Sequence, residues 1–255
     1  MKQSQITILY TIIYKEIHRI LRLWMQTILP PLINMSLYFF IFGQMIGEHI
    51  GDINNISYTQ FITPGLIILA TVTNAYMNAS SSVFLDKFQG CLQEILAAPI
   101  PECFFIIAIT LGSIFRGLVI GLLIAFSGWI CVGATITNFS IFFIILIASN
   151  CLFAILGILN GLYANHFDGI NFVPSFILTP LTFLGGVFYP INRLPTIWQD
   201  LSYYNPFVYL VKAMRESYTN GQISYVFLTS IVILSITLAM WCTHKIKHRL
   251  KIHMR

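Results

Sequence analysis

A succession of long apolar runs constrains this chain more than any other feature. A bilayer-spanning helix needs roughly 20 mostly apolar residues. Five runs of that kind occupy 25–47, 59–82, 103–132, 140–163 and 223–243. A sixth, 170–189, is long enough but is interrupted by Pro174, Pro180, Gly185 and Gly186. Those residues free backbone groups, which in lipid must find partners inside the protein, so a kinked span packed against its neighbours is expected. Charge points the same way. Only 9% of the 255 residues are charged, against about 25% in a soluble domain. The fold class expected is all-α: a polytopic membrane protein with six transmembrane helices, one domain over 1–255, and no soluble domain.

The first 24 residues differ from the runs. Ile6, Leu9, Ile13, Ile17, Ile20 and Trp24 recur at helical spacing, with Lys15, Arg19 and Arg22 close to the opposite side. At roughly 100° per residue the apolar positions form one stripe. This pattern predicts an amphipathic helix in the interface with its basic residues toward the headgroups. A soluble helix packed on a partner shares the pattern. A cleavable signal peptide does not, because the apolar positions are dispersed and no small-residue cleavage site precedes the first span.

Lys and Arg near span ends set orientation. Lys2, Lys15, Arg19 and Arg22 lie at the start, and Lys245, Lys247, Arg249, Lys251 and Arg255 in the tail at 244–255. Both termini are therefore expected in the cytoplasm, which requires an even number of spans. The stretches 48–58 and 133–139 contain no Lys or Arg, whereas 83–102 has Lys87. The segment 190–222 carries Arg193, Lys212 and Arg215 yet must lie outside. It is too polar to span and partly apolar, which fits a re-entrant outer segment buried by protein. The net charge of +5 implies no nucleic-acid partner, because the basic residues gather at the termini and form no face on a polar domain.

No GxxxxGK[ST] loop occurs, so the chain lacks the backbone cradle and Lys that hold nucleotide phosphates in that motif. The six span interiors contain no Asp or Glu, although ion-coupled carriers usually place ionisable residues there. A chain of this kind that moved a solute uphill would draw energy from another subunit. Neither a metal nor a cofactor site is expected within it. The five cysteines, Cys91, Cys103, Cys131, Cys151 and Cys242, are odd in number and form no CxxC pair, so they read as small buried hydrophobes. His166 with Asp168 is better explained by turn chemistry than by a metal. His244 and His248 lie in a basic tail that would repel a cation.

Arg116 is the one charge deep in a span. Arginine there costs at least roughly 2.5 kcal/mol on insertion scales, so it must face protein or water. It either contacts an anionic substrate or a partner helix, or pairs structurally with helix carbonyls. Gly117 with Gly121, and Gly157 with Gly161, are GxxxG pairs that allow close helix approach within the chain. In the 83–102 loop, Leu92, Ile95 and Leu96 share one side of a short helix that includes Glu94, and Pro99 stops it. A short amphipathic helix of this kind either docks a soluble partner or lies on the membrane.

Three segments together resemble the permeases of type-2 ATP-binding-cassette (ABC) exporters, across essentially the full chain. The first is Lys15-Glu16 followed by Pro30-Pro31. The second is Phe88, Gly90, Leu92, Glu94, Leu96 and Pro99. The third and most specific is Pro180, Gly185, Gly186, Tyr189, Pro190, Leu194, Pro195, Trp198, Asn205 and Pro206. The resemblance is closest to small bacterial inner-membrane permeases whose ATPase is a separate chain. It implies a homodimer with two ATPase copies that bind the ATP and Mg, a coupling helix within 83–102, a connecting helix over 1–24, and a re-entrant pair from about Pro195. Gln89 departs from the family pattern, which carries charge immediately before the loop glycine. An ion-coupled secondary transporter, a membrane-embedded enzyme and a non-transporting scaffold are the rival classes.

Overall fold

The computed structural model describes residues 2–42, 47, 51–53, 56–97, 101–219 and 225–253. Their regular structure is helical, apart from an isolated antiparallel bridge in which Ile53 and Ile56 exchange backbone hydrogen bonds. In chain order the helices are α1 (Lys2–Arg22), α2 (Trp24–Thr27), α3 (Leu29–Phe40), α4 (Tyr58–Phe88), α5 (Cys91–Ala97), α6 (Glu102–Val132), α7 (Phe139–Tyr163), α8 (Phe167–Leu184), α9 (Thr196–Tyr203), α10 (Pro206–Thr219) and α11 (Tyr225–His253).

Four helical stretches among the described residues are long and apolar enough to cross a membrane: α6, α7, α8, and Phe227–Lys245 within α11. The sequence predicted six, and two of those runs look different in three dimensions. The 59–82 run lies within α4, whose 31 residues extend about 46 Å at 1.5 Å each. Its length exceeds the ~30 Å hydrocarbon thickness, but Asn74, Asn78, Ser80, Ser81, Ser82 and Asp86 dilute its apolar character. The 25–47 run is broken at Ile28 between α2 and α3. Pro30 and Pro31 open α3, where missing N–H groups are tolerated at a helix start but cannot continue a ladder from α2.

Helix α4 is the centre of the bundle and packs on α6 and α7, with α10 across its N-terminal end. Ile62, Leu66, Ile67 and Ile68 of α4 join Ile120 and Ile124 of α6, Phe142 and Leu146 of α7, and Phe207 and Met214 of α10 in one core. The α4–α7 contact is close because Gly157 and Gly161 face α4. A Cβ on Gly161 would stand 2.6 Å from the Ser80 carbonyl oxygen. Both GxxxG pairs therefore serve packing within the chain. Helices α8 and α11 turn much of their apolar surface outward, including Phe172, Phe176, Ile233, Ile236 and Trp241. An aqueous surface would not sustain apolar exposure on that scale.

The interruption expected in the sixth run is a π-helical stretch, Pro174–Leu178. Thr179 donates both its N–H and, at 2.9 Å, its hydroxyl to the Pro174 carbonyl, so the disturbed backbone is satisfied locally.

Candidate functional site

One face of α4 carries Asn74, Asn78, Ser82 and Asp86 at an unbroken interval of four. Residues at that interval stack on one side of a helix, and each of these four meets a polar group from another helix. Asp86 accepts from Lys15 Nζ of α1 at 2.6 Å. Ser82 donates to Glu16 Oε1 at 2.7 Å. Asn78 Oδ1 accepts from Arg19 Nη2 at 3.2 Å, and its Nδ2 donates to Ser113 Oγ of α6 at 3.0 Å. Asn74 Oδ1 accepts from Arg116 Nη2 of α6 at 2.9 Å. The result is a polar ladder running up α4, gripped by α1 at one end and by α6 further along.

The ladder resets the orientation read for α1. Its buried face is Ile12, Glu16 and Ile20, with Glu16 packed over Gly112 of α6. Lys15 and Arg19 turn to α4 instead of away from the bundle, while Arg22 stays exposed. Ile6 and Trp24 of the expected apolar stripe are exposed. Glu16 is fully buried and also accepts from Arg19 Nη2 at 2.8 Å. Burial pushes its carboxyl above the usual value, a shift that Arg19, Ser82 and Lys15 oppose and Asp86 reinforces. The period-four polar row was visible in the sequence. Its partners were not, because they come from helices that only the fold brings together.

Arg116 makes the structural pairing with a carbonyl. Besides Asn74 it donates to the Thr27 oxygen at 3.3 Å, leaving Nε buried without a partner. Immediately beyond, Gly117 faces Asn150 of α7, whose side-chain amide is buried and unpartnered.

At its C-terminal end α4 passes into α5 through Gly90, whose φ of 80° lies in the left-handed region, accessible to glycine at little cost. The short helix expected within 83–102 is α5. Leu92 is buried among Ala79, Val83, Phe105 and Ile158, Ile95 packs against that cluster, and Glu94 is exposed. The Leu96 side chain and Pro99 lie outside the described residues. Phe88 is 68% exposed, with its ring 6.1 Å from Phe84 and 5.5 Å from Phe167 of α8. Lys87 Nζ donates to the Leu162 and Ala164 carbonyls at 3.1 and 2.7 Å, so the end of α7 is tied to the same corner. Cys242 of α11 packs in the Leu92 cluster, and Lys15 pairs nearby on α4. The α1 and α11 segments thus meet the bundle at the end that carries α5.

The opposite end is built by the late motif. Gly185 and Gly186 end α8, and Gly186 has a φ of 70°. Arg215 of α10 donates to the Gly186 and Val187 carbonyls at 2.7 and 3.3 Å and to Phe61 O at 3.3 Å. Its guanidinium carbon sits 3.8 Å from the Phe61 ring centroid. Asn205 Nδ2 donates to Leu181 O at 2.6 Å, and its Oδ1 accepts from Phe207 N at 3.0 Å, so Asn205-Pro206 starts α10 and closes α8. Pro195 precedes α9, where Trp198 is about half exposed. The described part of the 190–222 segment, residues 190–219, therefore forms a 3-10 turn at Ile191–Arg193 and two short α-helices. Beside them, α7, α10 and α11 leave an apolar cleft of about 940 Å³ that includes Leu210, Phe227, Ile231 and Leu234, with Lys212 and Glu216 the charged groups among its described lining residues.

Apolar helices long enough to cross a membrane, packed around a central helix with a polar ladder, define a polytopic membrane protein. Residues 7–219 match the ABC-2 type transporter family, and the chain belongs to it. The chain is 46% identical over 204 residues, 80% of both chains, to the inner membrane transport permease YadH of Escherichia coli K12. It is 25% identical over 203 residues to nodulation protein J of Rhizobium leguminosarum bv. viciae, covering 76% of this chain and 75% of that protein. It is 23% identical over 220 residues to a putative transport permease, ycf38, of Cyanophora paradoxa, covering 82% and 73%. The chain is a transmembrane permease subunit of an ABC transporter.

Proposed function

We propose that this chain is one half of a homodimeric exporter permease of the bacterial inner membrane, driven by a separate cytoplasmic ATPase that binds the ATP and Mg. In this reading α4 and the segment containing α2 and α3 complete six spans, both termini are cytoplasmic, α1 is the interfacial connecting helix, and α9 with α10 form the outer re-entrant pair. The carrying observation is the continuity of α5, α4 and the ladder. A helix docked on the ATPase at Glu94 would be rigidly joined, through Leu92 and Gly90, to the central helix of the bundle. Movement imposed on α5 by closure of the ATPase dimer would then reach α1 through Asp86, Ser82 and Asn78, and α6 through Asn74 and Asn78. The pathway would open outward between the two protomers.

Copurification tests this reading. The detergent-solubilised permease is expected to bring down its ATPase and to stimulate ATP hydrolysis. Glu94→Arg is expected to weaken that association while the helical content and Tm of the permease stay unchanged. An ATPase that binds the variant as well as the wild type would remove α5 as the docking element.

A further inference from the structure

A second, smaller cavity of about 190 Å³ lies at the end of the bundle remote from α5. Its walls are the first turns of α4 (Gln60, Phe61), the residues after α6 (Thr135 among them) and the last turn of α10 (Arg215, Tyr218). Its chemistry is one-sided, because none of the described residues that line it is acidic. Arg215 commits Nε and Nη2 to carbonyls and lays its face on Phe61. These groups are neutral, so they orient the cation without cancelling its charge, and Nη1 makes no bond among the described residues. Tyr218 is held by its ring against Phe142, 6.4 Å between centroids, yet its hydroxyl is buried without a partner. A buried hydroxyl without a partner is costly, and so is a part-buried cation with no counter-charge among the described residues. Here the two line the same cavity. The N-terminal turn of α4, the positive end of its dipole, opens on the same space and carries no acidic residue.

We infer that this cavity is a binding site for a small oxyanion of the phosphate type, held by Arg215 Nη1 and the Tyr218 hydroxyl. Guanidinium and phenol donors suit oxyanion geometry. Size limits the ligand. At roughly 30 Å³ per water the space holds about six waters, and it falls below the ~300 Å³ at which sites for drug-sized molecules begin. It admits the anion itself, either as a free ion or as the head of a lipid whose chains stay outside. Gln60 directs one of its two amide N–H groups to the Val132 carbonyl at 3.2 Å and otherwise forms a wall of the site.

The test uses the purified permease alone, so it does not depend on the ATPase reading. Tm is measured against increasing sodium phosphate at ionic strength held constant with sodium chloride. In parallel, native mass spectrometry scores retention of phosphatidylglycerol from mixed nanodiscs. Occupancy by free ion predicts a saturable phosphate-specific rise in Tm of about 2–4 °C. Occupancy by a lipid head predicts no such rise and one tightly retained phosphatidylglycerol per chain. In either arm Tyr218→Phe weakens binding roughly five-fold, the loss of one hydrogen bond. Thr135→Asp, which adds a carboxylate to the wall of the same cavity, abolishes it. Tyr218→Phe alters no packing, so it keeps the test valid should the Asp variant misfold. The proposal is overturned if neither phosphate nor phosphatidylglycerol binds the wild type, or if Tyr218→Phe binds as tightly as wild type.

Discussion

Arg116 Nη2 lies 3.3 Å from the carbonyl oxygen of Thr27, the acceptor that residue 31 would serve in a continuous helix and that Pro31, lacking an N–H, does not. The one charge deep in a predicted span therefore stands in for a missing backbone donor. It holds the α2–α3 break against α4 and α6.

Removing the guanidinium should leave Thr27 O and Asn74 short of a donor. Arg116→Met is expected to cost about 1–3 kcal/mol, read as a lowered Tm in detergent. In a Pro31→Ala background the backbone N–H of residue 31 can take over Thr27 O, so the same substitution should cost measurably less. A double-mutant cycle gives the coupling directly. Equal costs in the two backgrounds would show that Arg116 does not substitute for the backbone.

Glu16 supplies a pH-dependent term. Burial raises its carboxyl pKa above the ordinary 4.5, so the native state binds the proton more tightly than the unfolded chain. The contribution to stability is full below the unfolded value and is lost as pH rises through the folded value. Glu16→Gln keeps an acceptor for Ser82 and removes the titration. Its Tm should therefore fall less than that of wild type between pH 4.5 and neutrality. Parallel Tm–pH profiles for the two proteins would contradict this.

Phe88 should separate coupling from folding. It is mostly exposed, and its ring contacts reach Phe84 of α4 and Phe167 of α8. Aromatic pairs contribute about 0.5–1.5 kcal/mol beyond area burial. With two such pairs, Phe88→Ala should shift stability by about 1–3 kcal/mol at most while reducing ATPase stimulation by the permease several-fold. Titration of ATPase against wild type and variant gives both numbers, and undiminished stimulation would remove the Phe88–Phe167 contact from the coupling path.

Membrane character, helical class and the short helix at Cys91–Ala97 were legible in the sequence, because apolar length and a period of 3.6 are local properties. The break at Ile28 was half legible, since Pro30 and Pro31 announce it but not which group repairs it. The inward turn of Lys15 and Arg19 was hidden. A basic row on an amphipathic helix reads the same whether it meets headgroups or a row of Asn, Ser and Asp on another helix. The 59–82 run was read by its apolar residues, although its polar ones at positions 74, 78 and 82 continue to Asp86 and organise the bundle. Arg215 resisted for a related reason, since its partners are backbone carbonyls, and a sequence does not display carbonyls.

Asn205 offers the sharpest test of the late motif because its two ends do different work. Its Oδ1 caps the start of α10 through Phe207 N, and its Nδ2 serves Leu181 O near the end of α8. Loss of a cap costs about 1 kcal/mol, and a carbonyl left short of a donor a further 1–3 kcal/mol or so. Asn205→Ala should lose both contributions. Asn205→Ser keeps the cap acceptor but is too short to reach Leu181, so it should recover only the smaller share. Asn205→Asp keeps the cap and sets a carboxylate against the Leu181 carbonyl, so it should be no more stable than the Ser variant despite its closer shape. Tm values ordered wild type, Ser, then Asp and Ala would establish that the amide N–H, and not the cap alone, joins α8 to α10. An Asp variant as stable as wild type would show that the Leu181 contact contributes nothing.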